Sequence, residues 1–299
     1  MAEESGGQLE RWLSIGGSIV APATAITTLL FYFGYVSSRA QYDYFGVDVD
    51  LVGLTTRDYV MRSPQPLLVP LLVITLGCAL LLGVHTLVRR RVTEPDRLRR
   101  LVRRTVAAGL VLLTIGVALL VLYPWLGVFV LYPLVTPLVL VAGGSLVGWG
   151  LLQLRRLDAE PVAAEGRPRR AVDARDLAAV LVWVAVAAAL FWATATIAGW
   201  SGRGLAKEQA RELDRLPSVI LDTKEPLFLG PGTEVAEIPL KPVSEGQVYR
   251  YRYWHLRLLV EGDDVMFLVP NTWHAGNTTL MVPVDGNVRV RFQFRNDPP

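Results

Sequence analysis

The sequence predicts an α-helical membrane bundle of five transmembrane helices plus a small C-terminal antiparallel β-sandwich or barrel domain. Three observations carry that prediction. Of 299 residues, 52% are hydrophobic and only 19% are charged, against about 45–50% and about 25% in soluble domains. The apolar residues gather in blocks of about 20, the length an α-helix needs to cross about 30 Å of hydrocarbon. After residue 217 the blocks give way to short runs of β-branched and aromatic residues, the signature of strands.

The first span is read at 13–36. It is rich in small and hydroxyl residues: Ser14, Gly16, Gly17, Ser18, Ala21, Ala23, Thr24, Thr27 and Thr28. Small residues let helix backbones approach closely in lipid, so this span is expected inside a bundle. It is too long and too polar for the apolar core of a cleavable signal peptide. The second span is 67–88, entered through Pro64 and Pro66. The apolar stretch 105–154 is too long for one crossing and about right for two. Proline disfavours continued helix and aromatic residues prefer the headgroup level. The break therefore falls between Tyr123-Pro124-Trp125 and Tyr132-Pro133, giving spans 105–122 and 134–154. Gly144 and Gly148 form a GxxxG packing face. The fifth span is 177–200.

Orientation follows from the arginines. Loops on the cytoplasmic side carry excess Lys and Arg. With the N-terminus inside, the inner segments 1–12, 89–104 and 153–176 hold 1, 8 and 6 arginines. The outer loop between the first two spans holds only Arg39, Arg57 and Arg62. The run RRRVTEPDRLRRLVRR (89–104) is thus an orientation signal, with anionic inner-leaflet lipid as its natural contact. It lacks the aromatic interleaving of a nucleic-acid platform, and no nucleic-acid partner is expected. Five spans then place the C-terminal residues outside the cell membrane.

Residues 201–217 read as a juxtamembrane helical linker. GLAKEQARELDRL (204–216) is charged, with no special apolar face, and is stopped by Pro217. The extracytoplasmic β-domain, 218–299, shows strand signals at 218–222, 235–240, 249–260, 265–269, 279–284 and 288–294. Gly262-Asp263 and Asp285-Gly286 fit tight hairpin turns. In the last strand Val288, Val290, Phe292 and Phe294 alternate with Arg289, Arg291, Gln293 and Arg295. One face should pack on a core, with Phe292 central. In the long strand the apolar phase changes after Tyr253, which predicts a bulge there.

Two stretches carry a resemblance. YDYFGVDVDLVGLTTRDY (42–59), and YRYRYWHLRLL followed by FLVPNTW (249–273), resemble segments of a group of bacterial multi-spanning membrane proteins with a small extracytoplasmic β-domain. The resemblance implies the same layout and brings no activity.

Candidate chemistry is sparse. Asp48-Val49-Asp50 lies in the first outer loop, where lipid-linked-sugar glycosyltransferases place a catalytic acid, and two such carboxylates can hold a divalent cation. The alternative reading is an interfacial segment: Tyr42, Tyr44 and Phe45 dip into headgroups, and Thr55 to Asp58 opens a helix as a capping box. Ser145 and His85 differ in depth by roughly 9 Å at 1.5 Å per residue, too far for a nucleophile and its base. His255 and His274 lack the sequence context of a metal site. Asn277-Thr278-Thr279 matches a glycosylation acceptor. Arg250, Arg252 and Arg257, with Arg289, Arg291 and Arg295, offer a basic sheet face flanked by tyrosines, suited to an anionic glycan or lipid headgroup. Neither cofactor nor metal is predicted.

The reading is a non-enzymatic integral membrane protein that displays a β-domain for binding, sensing or envelope assembly. Membrane lipids, a second copy of the chain or another envelope protein are its expected partners. The alternatives are a channel or transporter component, and a glycosyltransferase-like enzyme using Asp48 or Asp50. The absence of Asp, Glu, Lys and Arg from all five spans weakens an ion-coupled transporter, since such charges mark ion pathways.

Overall fold

The computed structural model describes residues 2–91, 94–163, 174–229, 234–241, 246–274 and 276–293, with side chains from Val20 onward except at 89, 91, 95, 156–163 and 174–176. Arg167, Arg169, Arg170, Phe294 and Arg295, and the side chains of Ser14 and Ser18, lie outside the described residues.

Among the described residues, seven helices run α1 (Ala2–Asp43), α2 (Thr56–Arg62), α3 (Pro64–Arg91), α4 (Pro95–Val121), α5 (Tyr123–Leu126), α6 (Tyr132–Ala163) and α7 (Ala174–Arg211). Five of them are long and apolar enough to cross a membrane, over Val20–Asp43, Pro64–Val88, Asp96–Val121, Tyr132–Arg155 and Leu177–Arg211. The predicted break at the prolines and tyrosines holds: α4 ends at Val121 and α6 opens at Tyr132. The chain divides into two compact units, one of residues 1–66 with 198–299 and one of residues 67–197.

The unit 67–197 is built on α6. A Cβ on Gly143 would lie 2.8 Å from the Leu113 backbone nitrogen, and one on Gly109 would lie 2.9 Å from the Gly143 carbonyl. Only glycine permits that approach of α4 and α6. The predicted Gly144 and Gly148 face receives Val186 and Trp183 of α7. Tyr132 donates its hydroxyl to the Leu119 carbonyl at 2.7 Å. By contrast, α3 exposes Leu68, Leu71, Leu76 and Leu80, an all-round apolar surface suited to a lipid solvent.

In the other unit, residues 20–29 of α1 are exposed. Over these residues the span is not buried, contrary to the expectation that 13–36 lies inside a bundle; Phe33 and Gly34, nearer its end, are buried. Its hydroxyls are satisfied locally: Thr24, Thr27 and Thr28 donate to carbonyls four residues back. Burial begins at Phe33 and rises along the following loop. Tyr42, Phe45, Val47, Val49, Val52 and Tyr59 form one core with Ala206, Leu213, Leu259, Phe267 and Val269. Tyr42 and Phe45 are thus sheet-packing residues rather than headgroup anchors, and only Tyr44 is exposed. Fully burying a side chain of this size contributes about 1.5–3 kcal/mol, which favours the core over the interface. The capping box is present: Asp58 N–H donates to Thr55 Oγ1 at 3.4 Å and Thr55 N–H to Asp58 Oδ2 at 2.8 Å. It starts α2 where Gly34 of α1 meets the Tyr59 carbonyl, against which any Cβ would clash.

The linker also differs from its reading. Helix α7 continues unbroken to Arg211, and Ala206, Ala210 and Leu213 form the apolar face that the charged pattern concealed.

Among the described residues the sheet has six antiparallel strands: β1 (Ser218–Thr223), β2 (Ala236–Pro239), β3 (Tyr251–Glu261), β4 (Val265–Pro270), β5 (Leu280–Pro283) and β6 (Val288–Gln293). Its order is β5-β4-β3-β1-β6, with β2 also paired to β3. Between Val219 and Leu221 of β1 the partner register on β3 jumps from Leu256 to Tyr253. The intervening His255 adopts a left-handed φ of 63°. This is the predicted bulge, and it separates the parts of β3 that pair with β2 and with β4. Gly262-Asp263 lies in the β3–β4 hairpin, but Asp285-Gly286 joins β5 to β6, opposite edges that do not pair. A short link can do this because the sheet curls around one core, shared by Leu280 and Val282 of β5 and Val288 and Val290 of β6. The sheet does not close into a barrel. Phe292 is not central to that core; it is 56% exposed. Val288 and Val290 reach the core, while Phe292 sits at the far end of an edge strand.

A candidate anion-binding face

Alternation along β1 sends Val219 and Leu221 into the core and Asp222 to the opposite face. The register then decides what Asp222 meets. Arg252 of β3 and Arg289 of β6 are its direct cross-strand partners, and Arg291 pairs with Ile220 on the same face. The Asp222 side chain is 0% exposed. Arg252 Nε donates to Oδ1 at 2.7 Å and its Nη2 to Oδ2 at 3.2 Å. Arg289 reaches Oδ2 through Nη2 at 2.6 Å and Nε at 3.2 Å. Arg291 Nη2 lies 3.3 Å from the same oxygen. The guanidinium of Arg289 also stacks over the Tyr249 ring, 4.8 Å from its centroid, a cation–π contact.

Burial alone would raise the Asp222 carboxyl. Hydrogen bonds from Arg252 and Arg289, then the charges of Arg252 and Arg291, outweigh it and hold the group below the ordinary carboxylate range. The carboxylate is therefore ionised, and three guanidiniums on it leave a net charge of +2. Each guanidinium has five N–H donors in a fixed fork, and one carboxylate engages only a minority of them. The side chains of Arg289 and Arg291 are 49% and 43% exposed. The face can thus offer charge and directed donors to an external anion, with Asp222 fixing the guanidiniums in place.

Of the predicted basic residues, Arg252, Arg289 and Arg291 come together. Arg257 is engaged elsewhere, donating to Asn271 Oδ1 at 2.8 Å and to the Leu216 carbonyl at 3.1 Å. Arg250 is exposed just before β3 and its backbone extends the ladder to Thr223 and Leu240. Asp222 itself was missed. Its only sequence signal is a lone carboxylate in the apolar run SVILDT, and its meaning depends on register.

The other candidates are placed plainly. Asp48 accepts from the Asp50 N–H at 3.1 Å and caps a 3-10 turn at Val49–Val52, and both carboxylates face solvent. His85 accepts a hydrogen bond from Trp149 Nε1 at 3.1 Å. Asn277 accepts from the His274 N–H at 2.7 Å, and its amide nitrogen, the atom a glycan would need, is buried. Among the described residues no three His, Cys, Asp or Glu side chains come together as a metal site. Comparison of the chain with protein-family models, with curated proteins and with solved structures finds no match in any of the three.

Proposed function

We propose that this integral membrane protein holds its C-terminal sheet outside the cell membrane and uses the Asp222-centred arginine cluster to bind an anionic glycan or lipid headgroup, without turning it over. The observation that carries the reading is the excess of charge at one place: a single buried carboxylate orders three guanidiniums, two of them half-exposed. A purely stabilising pair needs one arginine per carboxylate. The outward placement rests on the arginine asymmetry of the loops. The end of α7 packs through Ala206 and Ala210 into one core with Leu259 of β3 and Phe267 and Val269 of β4, which supplies a firm mount for the sheet.

The test is binding of dextran sulfate, with neutral dextran as control, to purified full-length protein. The wild type should bind the sulfated polymer in a salt-dependent manner. Arg289→Gln with Arg291→Gln should weaken binding at least about tenfold, the equivalent of about 1.4 kcal/mol. Equal binding by wild type and double variant would sink the proposal.

A further inference from the structure

A second site lies at the sheet-bearing ends of the membrane helices. Past Val36, α1 changes from apolar residues to Ser37, Ser38 and Gln41. Gln65 stands at the start of α3, and Gln209 near the end of α7. These side chains, with Arg62, line a notch of about 560 Å³, within the range of small-ligand sites.

Three features of the notch point to a ligand. Ser37 and Ser38 are only 4% and 2% exposed, and both line the notch, so what little surface they keep opens into it. Next, Gln41 Nε2 donates to Gln209 Oε1 at 2.9 Å. That bond fixes both amides and leaves the Gln41 carbonyl and the Gln209 amino group to serve a guest. Finally, Arg62 donates once, to the Tyr42 hydroxyl at 2.9 Å, with its guanidinium 5.6 Å from the Tyr42 ring centre. Among the described residues no carboxylate lines the notch. The nearby Asp58 is turned into its capping box with Thr55.

We infer that this notch binds the headgroup of an anionic, hydroxyl-bearing phospholipid, with its phosphate on Arg62 and its hydroxyls on Ser37, Ser38, Gln41 and Gln209. A guanidinium fork matches phosphate oxygens. A lining with one positive charge and no negative one suits a phosphodiester whose remaining groups are neutral hydroxyls. It gives the ammonium of choline or ethanolamine no counter-charge. The notch lies toward the C-terminal ends of the candidate spans of α1 and α7 and at the start of that of α3, where a helix crossing a bilayer would meet the headgroups. The site shares no residue with the Asp222 cluster and stands independently of it.

The test is native mass spectrometry of delipidated, full-length protein after addition of phosphatidylglycerol, phosphatidylcholine or soluble glycerol phosphate. Phosphatidylglycerol should be retained at one high-affinity position, at least tenfold more tightly than phosphatidylcholine. Arg62→Gln should lose that position, whereas Arg97→Gln, in the first turn of α4, should keep it. Should Arg62→Gln fail to fold, Ser38→Ala decides, with a several-fold weaker retention expected. Equal retention of both lipids, or unchanged retention by Arg62→Gln and Ser38→Ala, overturns the inference. Glycerol phosphate bound as tightly as the lipid overturns the lipid assignment and makes the notch a site for a soluble phosphate ester.

Discussion

Replacing Asp222 with alanine removes the one acceptor that holds three guanidiniums on the sheet. Charge-assisted hydrogen bonds contribute about 1.5–3 kcal/mol each when buried. The Arg252 bond qualifies, since that side chain is only 23% exposed. The Arg289 and Arg291 bonds lie nearer the surface scale of about 0.2–1 kcal/mol. The freed arginines would also repel one another. The expected loss for Asp222→Ala is therefore about 2–4 kcal/mol, with about 2 for Arg252→Ala and under 1 for Arg291→Ala. Thermal unfolding of purified full-length protein in detergent should rank the variants in that order. An Asp222→Ala protein within about 0.5 kcal/mol of wild type would refute the reasoning. So would an Arg291→Ala protein as unstable as Asp222→Ala, because the cluster would then not be organised by the carboxylate.

Phe45→Ala should cost about 3–5 kcal/mol because that ring is 1% exposed in the core beneath the sheet. Phe292→Ala should cost under about 1 kcal/mol, and the same unfolding assay separates the two. Gly143→Leu should disrupt the α4–α6 contact and lower the yield of monodisperse protein, since its Cβ would meet backbone rather than a flexible side chain. Acid should act through Asp222. Its folded pKa lies below the ordinary 3.8, so its contribution is full above about pH 4 and is lost as pH falls through the folded value. Wild type should lose stability relative to Asp222→Asn over that acid range, and parallel pH profiles would contradict the assignment.

The membrane half was legible because its signals are local. A block such as 67–88 states its own length and polarity, and the helix found there covers it. The six strand positions were legible for the same reason. Register was not. The alternation of Val288, Val290 and Phe292 told which face they share, but not that the core ends before Phe292. The arginines of β6 were visible as a basic face, but the carboxylate that gathers them came from a different strand. The aromatic loop was misread because Tyr42 and Phe45 suit a headgroup layer and a protein core equally. Only a contact between distant residues decides, and Phe45 stacks edge-on against Trp273 at 5.0 Å.

The central claim, an arginine-bearing sheet held across the membrane from the arginine-rich loop, is tested most directly by cysteine accessibility in intact cells. In a Cys78→Ser background, a single cysteine replaces Asp285, exposed between β5 and β6, or Arg97, exposed in the first turn of α4. A membrane-impermeant maleimide should label the cysteine at 285 in intact cells and reach the one at 97 only after permeabilisation. Labelling of both positions, or of 97 alone, in intact cells would contradict the account.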